Sequence, residues 1–159
     1  MFAARCGALS LVALLVACGS KNTTPAAPER QVPPRATQAA VDAARLTAAD
    51  SEPGNWMTYG RTYDEQRFSP LKQINAGNVG RLQLAWHYDL DAAHRVQEST
   101  PVVVDGVMYL TSAWSKVFAL DPATGKELWV FDPAVPGTTG IKGCCDVANR
   151  GVAVWSGKV

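Results

Sequence analysis

The stretch Ala119-Leu-Asp-Pro-Ala-Thr-Gly-Lys-Glu-Leu-Trp129 decides the fold. Two short apolar runs, 116–120 (KVFAL) and 126–131 (KELWVF), flank a turn built on Asp121, Pro122 and Gly125. Asp121 can accept hydrogen bonds across that turn, and Gly125 can supply a positive-φ position without steric strain. Trp129 is a large rigid ring whose burial against a neighbouring sheet removes much apolar area from water. The same texture continues on both sides. Residues 100–104 and 107–111 bracket Asp105-Gly106, a strong signal for a type I′ hairpin turn. Residues 82–88 (LQLAWHY) and 151–155 (GVAVW) read as further strands. Short strands separated by turns every 8–12 residues or so specify an all-β sandwich, barrel or propeller.

Outside residues 55–159 the chain reads differently. Arg5 precedes an apolar run at 8–17 (ALSLVALLVA), too short for a membrane-spanning helix, which takes about 20 residues. Residues 1–17 therefore read as a secretory signal peptide. The segment ends Leu15-Val16-Ala17-Cys18, which resembles a bacterial lipoprotein signal in which Cys18 is lipidated. An ordinary signal peptide that happens to contain a cysteine is the alternative. Residues 18–35 are rich in Pro, Ala and Thr and read as a disordered tether. Residues 36–54 read as one short helix within 36–49, with Val41, Ala44 and Leu46 as a weak apolar stripe, ending before the breaker Ser51-Glu52-Pro53-Gly54.

Composition narrows the function. Of 159 residues, 47% are hydrophobic, too many for a wholly disordered chain. The net charge is +1 with alternating signs, which argues against nucleic acid as a partner. No G-x-G-x-x-G follows a strand and no C-x-x-C-H occurs, so a nicotinamide site and haem c attachment are unsupported within these residues. His87 and His94 have no ligand-spaced partners and read as structural or exposed. Export places the chain in an oxidising compartment, where disulfides persist.

The motif A-x-D-x-x-T-G-K-x-x-W resembles the tryptophan-docking repeat of the eight-bladed propeller quinoproteins, dehydrogenases that use pyrroloquinoline quinone (PQQ). Residues 55–70 (NWMTYGRTYDEQRFSP) resemble that family's leading strand, with Trp56, Tyr59, Tyr63 and Phe68 as its packing. Residues 97–109 (QESTPVVVDGVMY) resemble its first inner hairpin, and 143–151 (GCCDVANRG) its vicinal-cysteine loop. The form of residues 111–121 is nearer the ethanol-type than the methanol-type enzymes. Trp114 and Trp155 then read as propeller core.

The resemblance implies a cofactor site at Glu98, Cys144, Cys145 and Arg150. It implies a Cys144–Cys145 disulfide lying flat against one face of the PQQ. Such a ring closes almost no loop, so its stabilising contribution is small; two unpaired thiols are the alternative. Glu98 is implied beside the quinone, and Arg150 on a PQQ carboxylate, a role that a planar guanidinium suits. Asp146 and Asn149 are expected to cap turns of the same loop.

The implied reaction oxidises primary alcohols to aldehydes in the periplasm and passes electrons to a cytochrome c. Ca²⁺, or a lanthanide, would polarise the quinone carbonyl as a Lewis acid, and an Asp would act as base. Those ligands and that base lie in later blades, so no catalytic or metal residue is expected before Val159, and any haem c belongs to a domain further along. At about 40–45 residues per blade, residues 55–159 supply two to three blades of an incomplete propeller, inactive by itself. The lipidated Cys18 would anchor the protein to the inner or outer membrane. A non-enzymatic outer-membrane propeller lipoprotein acting as an assembly scaffold is the alternative, and a truncated gene product without activity a third reading.

Overall fold

The computed structural model describes residues 38–90, 97–142 and 144–159, with the side chains of Cys144 and Cys145 outside that description. The signal peptide, Cys18, the tether and His94 also lie outside the described residues. The architecture is all-β, in keeping with the propeller expectation. Its centre is a four-stranded antiparallel meander in the order β1-β2-β3-β4: β1 Val102–Val104, β2 Val107–Thr111, β3 Val117–Leu120 and β4 Glu127–Phe131. This is one blade. A fifth strand, β5, spans Cys144–Val147, within the stretch read as a loop. No helix among the described residues is long and apolar enough to cross a membrane.

Alternation decides which face is inside. Val102, Val104, Val107, Tyr109 and Thr111 are buried, and the residues between them are partly exposed. The turn joining β1 to β2 is type I′, with φ 51° at Asp105 and 78° at Gly106. Register then aligns Val102 with Tyr109, Tyr109 with Ala119, and Ala119 with Trp129. Cross-strand partners share a face. The first and last residues of the docking motif therefore lie side by side, and Ala119 stands between two aromatic neighbours. Its single methyl lets the Tyr109 and Trp129 rings approach to 5.9 Å between centroids. Burial, with Asp105 nearby, pushes the Tyr109 hydroxyl up to about 12.

The β3–β4 turn forms as its residues dictate. Asp121 Oδ1 accepts the Ala123 amide at 2.7 Å, and its carbonyl accepts the Gly125 amide at 2.8 Å. Gly125 has φ 72°. It is also the floor for Trp86, because a Cβ there would come within 2.5 Å of the indole. The Trp86 Nε1 donates to the Pro122 carbonyl at 3.1 Å. Tyr88 bonds to Glu127 through its hydroxyl and meets Phe118 edge-on.

Residues 82–88 were expected as a strand, and here the structure differs. They run extended with no strand partner among the described residues, and Leu82 and Leu84 are exposed. A strand needs a second backbone to complete its ladder; this segment instead lays Trp86 and Tyr88 along the β3–β4 hairpin. Residues 151–155 likewise contribute only an isolated bridge, Trp155 to Lys158. Trp155 is half exposed rather than core, and Trp114 is partly buried. In the leading segment, Trp56 bridges to Val103 on the free edge of β1, but Tyr59, Tyr63 and Phe68 are exposed. The chain turns away after that single bridge, with positive φ at Arg61, Glu65 and Arg67.

The short helix expected within 36–49 is α1, Ala43–Thr47, capped by Asp42, which accepts the Arg45 amide at 2.8 Å. The residues before it are claimed by tertiary packing. Ala39 and Val41 are fully buried in one cluster with Met57, Val102, Val104, Val107, Tyr109 and Val154. Their carbonyls accept the Gly157 and Ser156 amides at 2.9 and 2.8 Å.

Arg45 locks this arrangement. It holds Glu52 through Nε at 2.8 Å and Nη2 at 2.6 Å, and grips Asp105 on the hairpin turn with Nη1 and Nη2. Bidentate, charge-assisted bonds of this kind are the strong ones. The Arg45 guanidinium holds the Glu52 carboxyl below the usual carboxylate range, which raises affinity for the charged form.

Two outcomes follow from this packing. Ala119→Leu inserts methylenes between two rings and should cost about 1–3 kcal/mol, read from the urea midpoint. Because Glu52 has a depressed folded-state pKa, its contribution is present above the unfolded value, about 4.3, and is lost as pH falls through the folded value. Stability measured from pH 6 downward should therefore fall in the acid range, and Glu52→Gln should flatten that fall.

Candidate functional site

The site is assembled by backbone before any functional side chain takes part. The residues leading into β1 run beside the loop that follows β5. The Thr100 amide donates to the Arg150 carbonyl at 3.0 Å. Next along the loop, Gly151 has φ 130°, and a Cβ there would stand 2.9 Å from the Thr100 carbonyl oxygen. Only glycine permits both that dihedral and that approach. Further bonds hold the two segments in register. The Thr111 amide donates to Ser99 Oγ at 2.8 Å, and Thr111 Oγ1 donates to the Asn149 carbonyl at 3.3 Å.

Asn149 is the loop's organiser. Its Oδ1 accepts the Gly151 amide at 3.0 Å, and its Nδ2 donates to Ser115 Oγ at 3.0 Å. The turn-capping role expected for Asn149 is thus present. Ser115 can meet it because the β2–β3 connection twists through two left-handed residues, Trp114 (φ 63°) and Ser115 (φ 58°). Asp146 also has positive φ, 59°.

On this frame Glu98 and Arg150, 52 positions apart, come together. Arg150 Nε lies 2.9 Å from Glu98 Oε2, and the two side chains are 63% and 44% exposed. Both groups thus present charged, solvent-facing edges on one surface. The backbone of Cys144 and Cys145 opens β5, whose later residues Asp146 and Val147 line a cavity of about 310 Å³ with Trp114, Ser115, Thr139 and Gly140. That volume is at the lower end for small-molecule sites. Ser115 connects the cavity to the Glu98–Arg150 pair through Asn149, the neighbour of Arg150. The pairing of Cys144 with Cys145, and their contact with a cofactor, lie outside the described residues.

A larger cavity of about 390 Å³ is lined by Tyr109, Val117, Trp129 and Phe131 and shares no lining residue with this site. It belongs to the docking row. Among the described residues no three His, Cys, Asp or Glu side chains converge as a metal site. His87 is exposed. The residues that sequence reading passed over are Ser99, Thr111, Ser115 and Gly151. Gly151 alone carried a signal, as a glycine directly after a candidate ligand-binding arginine.

Comparison with known proteins locates this geometry. Residues 56–159 match the family described as PQQ glucose/ethanol/alcohol dehydrogenase, β-propeller domain. Over 111 residues the chain is 65% identical to the dehydrogenase subunit of a quinone alcohol dehydrogenase of Komagataeibacter europaeus, a match covering 70% of this chain and 15% of the relative. Over 106 residues it is 54% identical to a cytochrome c 1-butanol dehydrogenase of Thauera butanivorans, covering 67% and 15%. Among solved structures, a quinohemoprotein alcohol dehydrogenase of Pseudomonas putida superposes with a TM-score of 0.71 at 58% identity, covering 75% of this chain and 17% of that one. The chain thus spans about a sixth of the length of these relatives.

The frame and the functional side chains should separate under mutation. Arg150→Ala removes one solvent-screened ion pair and should change stability by less than about 1 kcal/mol. Gly151→Ala forces strained backbone against the Thr100 carbonyl and should cost about 1–3 kcal/mol, both read by chemical denaturation.

Proposed function

The chain belongs to the PQQ-dependent glucose/ethanol/alcohol dehydrogenase β-propeller family, and on that premise we propose that it supplies one wall of a PQQ pocket in an enzyme that oxidises primary alcohols to aldehydes. The observation that carries this reading is the meeting of Glu98 and Arg150 at 2.9 Å beside the loop that begins with Cys144 and Cys145.

PQQ has three carboxylates and an ortho-quinone, and when bound it accepts the two electrons of alcohol oxidation. The residues present fit such a group. Arg150 is a planar cation, more than half exposed, able to take a carboxylate in two parallel bonds. Glu98 orients that guanidinium through Nε and offers an acceptor oxygen at the edge of the pocket. The Gly151 close approach keeps Arg150 and Glu98 in register, so little ordering is left for the moment of binding. Cys144 and Cys145 would form the flat ring against one face of the cofactor.

The finer parts of the reading rest on the family. The ligands of Ca²⁺ or a lanthanide, the catalytic Asp and any haem c domain would lie in polypeptide beyond Val159, and a cytochrome c would accept the electrons. A leading signal with lipidated Cys18 would place the protein in the periplasm on a membrane anchor. The enzyme reading is favoured over an assembly scaffold because a scaffold has no use for a carboxylate-binding arginine paired with a glutamate at a vicinal-cysteine loop.

The test is a PQQ titration followed by fluorescence quenching, on this chain and on a chain extended to the relatives' length with Ca²⁺ in a dye-linked alcohol assay. Saturable binding is expected. Arg150→Ala should weaken it about tenfold or more, the loss of one charge-assisted contact of about 1.5–3 kcal/mol. Binding unchanged by Arg150→Ala and by the double change Cys144→Ala, Cys145→Ala would remove the site.

A further inference from the structure

The leading segment contains a buried cation that the pocket does not use. Arg61 has a side chain only 6% exposed. Its Nη1 donates to Asp50 Oδ1 at 2.9 Å, but Asp50 is itself 86% exposed, so this bond is screened by water. The other two nitrogens, Nε and Nη2, are buried and have no hydrogen-bond partner among the described residues. Thr58 Oγ1, three residues earlier on the same turn, is buried and unpartnered as well. Buried polar groups are satisfied as a rule, and a guanidinium edge left empty is costly.

The backbone takes trouble to put Arg61 there. Its φ is 73°, and its amide closes a turn onto the Thr58 carbonyl at 3.1 Å. Nε and Nη2 form one edge of the guanidinium, the edge that matches both oxygens of a carboxylate. The same molecule shows this fork filled: Arg45 holds Glu52 through its own Nε and Nη2, at 2.8 and 2.6 Å. Arg61 presents the same fork with no acceptor bonded to it among the described residues. Glu65, in the same turn, packs its carboxylate over Gly60 and makes no bond to the Nε–Nη2 edge of Arg61.

We propose that the Nε–Nη2 edge of Arg61 is a socket for a carboxylate on another stretch of polypeptide, an Asp or Glu side chain that enters beside Thr58 and fixes the leading segment to it. The carrier is polypeptide rather than a free ion because the curated relatives are nearly seven times as long as the region matched here, and a socket this deep is reached by a tethered side chain without the entropy of a separate binding event. The proposal does not depend on PQQ binding, so the two stand or fall separately.

The probe is sodium acetate, with sodium chloride at equal ionic strength as reference, on the 159-residue chain labelled with ¹⁵N-arginine. The Arg61 Nε–H resonance should shift saturably with acetate and not with chloride, and acetate should raise the urea midpoint. Arg61→Lys keeps the charge but removes the fork; it should weaken the acetate-specific stabilisation about tenfold or more. Asp50→Asn retains the fork and should still bind acetate, which covers the case that Arg61→Lys does not fold. On a chain extended to the relatives' length, the resonance should already be shifted and insensitive to acetate. An Arg61 resonance that never responds to acetate overturns the socket. A resonance still acetate-sensitive in the extended chain points to a free carboxylate, and a response seen only in Glu65→Gln makes Glu65 the ligand; either outcome overturns the proposal.

Discussion

One small residue sets the terms for the sheet. Ala119 is the cross-strand partner of Tyr109 on one side and Trp129 on the other, and the two rings meet over its methyl group. Any larger side chain would push them apart. With the rings in contact, the blade presents a continuous face running from Val102 to Trp129. The tight turn from Asp121 to Gly125 follows from the same demand, because β3 must reverse within a few residues for position 119 to face 129. A one-residue irregularity between Ala119 and Leu120 absorbs the mismatch.

The functional site depends on a second close approach, made by backbone. Thr100 and Gly151 touch without an intervening side chain, and that contact brings Glu98 to Arg150. The ion pair itself faces water and adds little to stability. The two charged groups are thus carried on a frame whose strength lies elsewhere, in Thr111, Asn149 and the buried hairpin. That division leaves the charged pair open to a ligand without placing the fold at risk.

The sequence announced most of the sheet. The hairpin at Asp105-Gly106 and the turn at Asp121–Gly125 formed where their residues demanded, because φ > 0 and Asx bonding are local properties. Glu98 and Arg150 were named from a resemblance, and the fold does bring them together. Residues 82–88 misled, since an alternating apolar run looks like a strand whether or not a second backbone is there to pair with it. The short helix expected within 36–49 does form, and it starts only at Ala43 because burying Ala39 and Val41 against the hairpin outweighs about a further turn of helix. Trp155, expected in the core, and Tyr63 and Phe68, expected as packing of the leading strand, are exposed.

What the sequence determined by itself was the class of fold, the turns, the docking row and the identity of the charged residues at the site. Each rests on interactions within a dozen residues or on side-chain type. What only the tertiary structure decided was which distant segments share a surface. Arg45 grips the hairpin turn 60 positions away, Thr100 abuts Gly151, and Arg61 is buried with one edge unsatisfied among the described residues. The physical reason is that these contacts are selected by the summed burial of the whole chain. No local pattern encodes where a backbone will pass close enough to exclude a Cβ, or where a guanidinium will be sealed from water.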